Sequence, residues 1–413
     1  MKTFRFIHTA DWHASSDPVK QKKLKDSLDQ ILDFVKTNEV EAIIHCGDVW
    51  DSSQDFNGKG GVPIVFEYLR KLSKHVNYIF IVKGNNSHDA PGSIALLHQL
   101  EPNILAYEYP VCLLKVSNEF HNYESIKDIF RDEQPIHASA DYIISLIPYP
   151  TKASFISDQS IDNNNSDFIE KFEGVFELIG DVTKEYSCPK ILGAHLNVVG
   201  SRLSSGQSLV SQDIMVAPST LDKAGADYVA LGHIHLDQMI APFKYYSGSI
   251  YNKNWGETEQ KSFKVIELQK HNQENLSAIC RIDTIPLVSA RPMVTVNAEF
   301  CPNDPHTDFI YDNDLSDESY NNAEVRLRIK IKESDKNLLT QEKIEWLKTF
   351  FGSDAKIEIN IVPNERESRS EQIMNCVSLT QEVNEFATVT NALLELPQSI
   401  LDKVSQLQEE VHL

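Results

Sequence analysis

The sequence predicts an α/β fold with a site at the carboxyl ends of its strands, and three observations lead there. Short apolar runs alternate with amphipathic stretches through the first half of the chain. Carboxylate, carboxamide and imidazole residues follow directly after those runs, where sites open in α/β sheets. The 413 residues exceed one ordinary core, so two or three domains are expected.

Taken in order, FRFIHTA reads as a strand. LKDSLDQILDFVK reads as a helix, with Leu24, Leu28, Ile31, Leu32 and Val35 at helical spacing. EAIIHCGD is again a strand, PIVFEYLRKLSK a helix and NYIFIVKGN a strand. Residues 118–140 and 153–167 interrupt the alternation, and SDQSIDNNNSD reads as a polar surface loop. A helix, FIEKFEGVFELIGDVTKEY, and two strands, KILGAH and DYVALGH, resume it. FKYYSGSIYN and KSFKVIELQ close this first domain, taken as residues 1–285. AEVRLRIKIKE, TQEKIEWLKTFFG and KIEINIVP then give strand, helix and strand, a small α+β domain over residues 286–365. Residues 366–413 form an amphipathic helical tail broken at Pro397, whose two segments either pack together or dock against another chain.

The composition, 41% hydrophobic and 24% charged, is that of a soluble globular protein. Six cysteines lack CxxC spacing, which argues against a thiolate zinc site and a disulfide framework. No apolar stretch approaches the ~20 residues of a membrane span. The N-terminus lacks a signal-peptide pattern, so a cytoplasmic location is expected. A formal net charge of −21 does not predict unaided tight binding to nucleic acid. Bound divalent cations or a remote domain would offset part of that excess.

The chemistry-bearing residues form one ordered series: Asp11-x-His13, Gly47-Asp48, Gly84-Asn85 with His88-Asp89, His195 and Gly232-His233-Ile234-His235. Carboxylate, imidazole and carboxamide together can hold two divalent metals side by side. Such a pair generates hydroxide from water and clamps a phosphate during in-line displacement. Carboxylates suit Mn²⁺ or Mg²⁺ and imidazole shifts preference toward later metals, so the mixture favours Mn²⁺. Gly47 lets the backbone turn sharply and aim Asp48. In extended backbone the two GHIH imidazoles point to one side. His8 and His45 lie inside apolar runs and read as buried, and Asp51 as a loop carboxylate behind the ligands. His98, His121, His137, His271, His306 and His412 carry no argument.

HTADWH, IIHCGDVWD, GSRLSSGQSL, DYVALGHIH and YYSGSIYNKNWGE resemble the calcineurin-like metallophosphoesterases, and within them the SbcD family of DNA-repair nucleases. IPLVSARPMV and the segments after it resemble that family's capping domain and partner-binding helices. The resemblance implies a β-sandwich flanked by helices, a capping domain and a helical tail. It implies that Asp11, His13, Asp48 and His235 hold one metal. Asp48 would bridge to a second, completed by His195, His233 and an amide. His88, steadied by Asp89, would sit near the leaving oxygen as catalytic residue.

The activity implied is manganese-dependent exonuclease action on duplex ends and endonuclease action on hairpins or single strands. An SbcC-like coiled-coil ATPase would be the partner and a homodimer the assembly. This chain has no GxxxxGK[ST] loop, so ATP dependence would come from that partner. One departure stands out. The family's third block, Gly-Asn-His-Asp, is two residues longer here: Gly84-Asn85-Asn86-Ser87-His88-Asp89. Either Asn85 still ligates and the loop bulges, or Asn86 or Ser87 takes its place, or the block is degraded. A small-substrate phosphodiesterase and a non-catalytic scaffold for DNA or the ATPase are the competing readings.

Overall fold

The computed structural model describes residues 3–57, 61–116, 119–123, 140–151, 165–207, 214–269, 279–302, 308–312, 322–363, 375–389 and 398–411. The chain enters β1 (Thr3–Thr9), α1 (Pro18–Thr37), β2 (Ala42–Cys46), α2 (Gly61–Leu72) and β3 (Tyr78–Val82). Strands β4 (Ile104–Tyr107), β5 (Val111–Val116), β6 (Glu119–Tyr123) and β7 (Tyr142–Ile147) precede α3 (Asn165–Thr183). Then come β8 (Lys190–His195), β9 (Asn197–Val198), β10 (Met215–Val216), α4 (Pro218–Asp222) and β11 (Tyr228–Gly232). β12 (Gln238–Ala241), β13 (Lys244–Tyr246), β14 (Ser262–Gln269) and β15 (Ile279–Pro286) follow.

These strands make two sheets, β15-β14-β1-β2-β3-β4 and β12-β13-β11-β8-β7-β5-β6. Parallel pairing runs through β1-β2-β3-β4 and through β7-β8-β11-β13, while β14, β15, β5, β6 and β12 add antiparallel edges. Side chains alternate across each strand, and this sorts the core into layers. Phe4, Phe6 and Ile44 of the first sheet meet Ile144, Ile191 and Tyr228 of the second in one buried cluster. The alternate positions face the helices. Ile7 and Ile43 pack with Leu24, Leu28 and Ile31 of α1 and Val65 and Leu69 of α2. Leu192 and Val229 pack with Phe172 and Phe176 of α3. The result is the α/β sandwich with flanking helices that the resemblance implied.

Helix α1 starts where Asp17 caps it, its Oδ1 accepting from the Val19 N–H at 2.7 Å and the Lys20 N–H at 3.2 Å. Pro18 sits at its first turn, and the five predicted apolar positions are its buried face. Sealing such a face contributes roughly 1.5–3 kcal/mol per fully buried large aliphatic.

Beyond β15 lie β16 (Met293–Phe300), β17 (Phe309–Tyr311), β18 (Glu324–Lys332), α5 (Gln341–Phe351) and β19 (Lys356–Val362), their sheet ordered β17-β16-β18-β19. Two further helices, α6 (Leu379–Val389) and α7 (Gln398–Val411), contact one another. The chain divides into two compact units. One comprises Met1–Asn297, Tyr311–Arg328 and Glu345–Glu358; the other comprises Ala298–Ile310, Ile329–Ile344 and Ile359–Leu413.

Pro397, His137, His271, His306, His412 and most of SDQSIDNNNSD fall outside the described residues, as does the His121 side chain. The last three residues of that stretch belong to α3, and part of the first interruption is strand β6. Among the described residues no helix is long and apolar enough to cross a membrane.

Candidate metal centre

The loops after β1, β2, β3, β8 and β11 converge. Beyond β1 and β2 the chain stays paired: the Asp11 N–H donates to the Gly47 carbonyl at 3.0 Å and the His13 N–H to the Asp48 carbonyl at 3.1 Å. Asp11, His13, Asp48 and His233 have φ of 53°, 46°, 57° and 101°. Non-glycine residues in this region store strain of about 1–3 kcal/mol each and concentrate at functional sites. Gly47, at φ 86°, turns the chain beneath His195, and a Cβ there would lie 2.3 Å from the His195 Nδ1. At Gly84 a Cβ would lie 2.1 Å from the Asp48 Oδ1, so a glycine is needed for the close approach.

Three overlapping groups of donors result: Asp11, His13 and His235; His13, Asp48 and His88; and Asp48, His195 and His233. Every predicted carboxylate and imidazole ligand is in one of them, and Asp48 belongs to two. The imidazoles of GHIH go to adjoining groups, because the positive φ of His233 departs from the extended backbone expected there. The Nε2 atoms of His13 and His235 are 2.9 Å apart. Adjacent ligands on one octahedral ion at ~2.1 Å stand ~3 Å apart.

The third block resolves as a tight turn. The Asn85 carbonyl accepts from the His88 N–H at 3.0 Å and the Asp89 N–H at 2.6 Å, which absorbs the two extra residues. Asn85 stays against the other ligands, its N–H donating to the Asp48 Oδ1 at 2.8 Å and its Nδ2 3.4 Å from the His233 Nδ1. The Asn85 Oδ1 is buried without a hydrogen-bond partner, as is the His235 Nδ1. Asn86 instead engages the Lys83 ammonium, and Ser87 lines the cleft. Orphaned acceptors and closely spaced imidazole nitrogens are what a divalent cation would satisfy. The residues fit such ions.

His88 places its Nδ1 2.5 Å from the Asp51 carbonyl, which fixes that nitrogen as the donor, and its Nε2 3.9 Å from the Asp48 Oδ2. Asp89 does not steady it. The fully buried Asp89 carboxylate accepts four backbone N–H groups: Gly84 at 2.7 Å, Asp48 at 3.0 Å, Val49 at 3.0 Å and Trp50 at 3.2 Å. His8 is buried between the Tyr228 hydroxyl and the Leu231 carbonyl, and His45 is buried against Trp12.

Several organising residues carry no sequence signal of their own. Gln207 holds the GHIH loop at both ends, donating to the His233 carbonyl at 2.7 Å and accepting from the His235 N–H at 3.1 Å. Glu257 and Lys253 belong to the YYSGSIYNKNWGE block but are not ligand types in a ligand pattern. Asp48, Asn85, His88, His233 and His235 line a cleft of about 200 Å³, with Gln207 and Lys253 at its wall.

Electrostatics prepare the donors unequally. Burial, reinforced by the Lys253 ammonium, holds the His13 and His235 pKa values far below the usual range, so both present neutral rings. Burial also opposes a charge on His195, but the Asp48 carboxylate 3.3 Å away outweighs it and raises the pKa to about 9. Burial, with Asp48 adding, pushes Asp11 up to about 7. His195 thus holds a proton below about 9 and Asp11 below about 7, and an incoming cation must expel both. Metal affinity is therefore expected to rise with pH across that interval, with protons released on binding. Calorimetry in buffers of different ionisation enthalpy measures the release; an affinity that stays flat from about pH 6 to 9 contradicts it.

A family model for calcineurin-like phosphoesterases matches residues 4–237, more than half of the chain and nearly all of this site. The chain belongs to that family. As a calcineurin-like phosphoesterase it is a hydrolase of phosphate esters, and its clustered donors are those of a metal-dependent one. It is similar to the SbcD subunit of the nuclease SbcCD of Escherichia coli (strain K12), 26% identical over 266 residues, which are 59% of this chain and 60% of that one. It is also similar to the SbcD subunit of the nuclease SbcCD of Bacillus subtilis (strain 168), 25% identical over 307 residues, 69% of this chain and 71% of that one. The match thus spans about three fifths of the Escherichia coli relative.

Proposed function

We propose that this phosphoesterase is the manganese-dependent nuclease subunit of a DNA end-processing complex. Asp48 shared between two donor groups carries the reading, in a chain whose relatives are named nuclease subunits. Asp11, His13, Asp48 and His235 would hold one Mn²⁺; Asp48, Asn85, His195 and His233 would hold the other. Asn85 is preferred to Asn86 or Ser87 because its buried oxygen lacks any other partner. Bound there, the metal pair supplies Lewis acidity and a nucleophile from water.

The chain's own residues do the rest. Asp48 sets the spacing of the two positions. His195 is oriented by its Nδ1, which donates to the Cys46 carbonyl at 2.7 Å. His88, held by the Asp51 carbonyl, turns its Nε2 toward the cleft to hold or deliver a proton at the leaving oxygen. Residues 1–285 would be the nuclease domain, 286–365 the capping domain and 366–413 the dock for an SbcC-like coiled-coil ATPase. That partner would hold the DNA and relieve the net charge of −21. A homodimer in the cytoplasm belongs to the same reading.

The test is cleavage of an end-labelled hairpin duplex by the full chain in manganese, where metal-dependent products are expected. An intact hairpin with bis(p-nitrophenyl) phosphate hydrolysed would move the substrate class to small diesters or require the ATPase. Metal binding with neither substrate cleaved would overturn the enzyme reading in favour of a scaffold.

A further inference from the structure

Lys253 is the only lysine or arginine among the described residues lining the cleft, and it shares its Asp51 partner with a second lysine. Asp51 takes two ammonium groups, Lys20 on Oδ2 at 2.7 Å and Lys253 on Oδ1 at 2.8 Å. Of the two cations that share this carboxylate, the member facing the cleft is Lys253. Its Nζ also lies 3.2 Å from the His13 Nδ1, which in turn is 3.9 Å from the Asp51 Oδ1. Once the His13 Nε2 turns its lone pair to a cation, Nδ1 carries the hydrogen and donates. It then no longer accepts from Lys253. The ammonium's remaining N–H bonds are left for an anion in the cleft.

The loop bearing Lys253 is built to hold it there. Glu257 is fully buried and accepts from the Lys253 N–H at 3.1 Å, the Asn254 N–H at 3.0 Å and the Asn254 Nδ2 at 2.9 Å. Lys261 ties the same carboxylate, at 2.9 Å, to the His235 carbonyl, at 3.2 Å. The Tyr251 hydroxyl donates to the His13 carbonyl at 2.8 Å. A buried carboxylate that gathers consecutive backbone donors fixes the loop against the donor groups, so the lysine's position is preorganised.

From this geometry we infer that Lys253 is the substrate-phosphate contact of the site: a cation beside His13 that binds a non-bridging phosphate oxygen in the cleft. The inference rests on the phosphodiesterase reading but not on DNA being the substrate. Hydrogen bonds to charged groups are worth enough that losing this one weakens phosphate binding at least about tenfold.

The experiment compares the full-length wild type with Lys253→Gln, Lys253→Met and Lys253→Arg. Manganese binding and inorganic phosphate binding to the manganese-loaded protein are measured by calorimetry, and KM and kcat with bis(p-nitrophenyl) phosphate. The expected result is phosphate affinity and KM worsened at least about tenfold in the Gln and Met variants, manganese affinity held within about twofold, and Arg restoring phosphate binding. The Met variant keeps the packed aliphatic stem should Gln unfold the loop. Unchanged phosphate affinity in Gln and Met, or no phosphate bound by the manganese-loaded wild type, overturns the inference. So does a loss confined to manganese affinity, which would make Lys253 a prop for His13. Lys253-dependent phosphate binding in a protein that leaves DNA intact would sustain this role while the nuclease reading fails.

Discussion

Asp48→Ala is expected to reduce phosphodiester hydrolysis by at least about a thousandfold, some 4 kcal/mol of transition-state stabilisation. The magnitude follows from how many groups converge on this carboxylate. Its Oδ1 is 3.3 Å from the His195 Nε2 and accepts the Asn85 N–H at 2.8 Å, while its Oδ2 faces the His88 Nε2 at 3.9 Å. Burial disfavours its charge, yet His195 and His88 hold its pKa below the usual carboxylate range, so it stands ionised between the donor groups. Alanine removes the carboxylate common to two of the three donor groups and leaves the Asn85 N–H without its acceptor. It also removes the main force keeping His195 protonated, so burial would then lower that pKa. Metal titration by calorimetry should show reduced stoichiometry in the variant alongside the loss of hydrolysis. Near wild-type turnover in Asp48→Ala would mean that the two proposed metal positions do not work as one centre.

The donor series was legible because each member follows an apolar run closely, and such runs place their ends at one edge of a sheet. The two-residue insertion in the third block was legible only as a question. Its answer depends on a turn in which one carbonyl, that of Asn85, accepts both the His88 and Asp89 N–H groups. GHIH read as extended backbone failed at His233, where φ is 101° and the rings part toward adjoining groups. Strain of this kind has no signature in residue type. Gln207 and Glu257 were invisible for a related reason. Gln207 acts on main-chain groups of a distant segment and Glu257 on those of its own loop, and such partners have no sequence periodicity. Antiparallel edges such as β6 and β12 were equally unreadable, because short strands become strands through neighbours far along the chain.

Asp89 marks the sharpest divergence between residue type and role, and its substitution carries the second large expected effect. The resemblance makes it the support of a catalytic histidine, yet its two oxygens are spent on N–H groups of the loops after β2 and β3. It fastens the Asp48 loop to the Asn85 loop, so the spacing of these two side chains depends on it. In Asp89→Asn one oxygen serves two of those N–H groups, while the new NH₂ faces the other two. Each buried donor left unsatisfied costs ~1–3 kcal/mol, so a loss of about 3 kcal/mol or more in folding stability is expected. Manganese affinity should fall with it, because the two loops are no longer held in register. Denaturant unfolding and metal titration of the same variant decide between the roles. A support acting only on the His88 proton would lower kcat and leave both the unfolding midpoint and metal affinity where they were. A fastener moves stability and metal affinity together, and activity returns in part at saturating manganese, because metal binding to the folded state opposes the loosened loops.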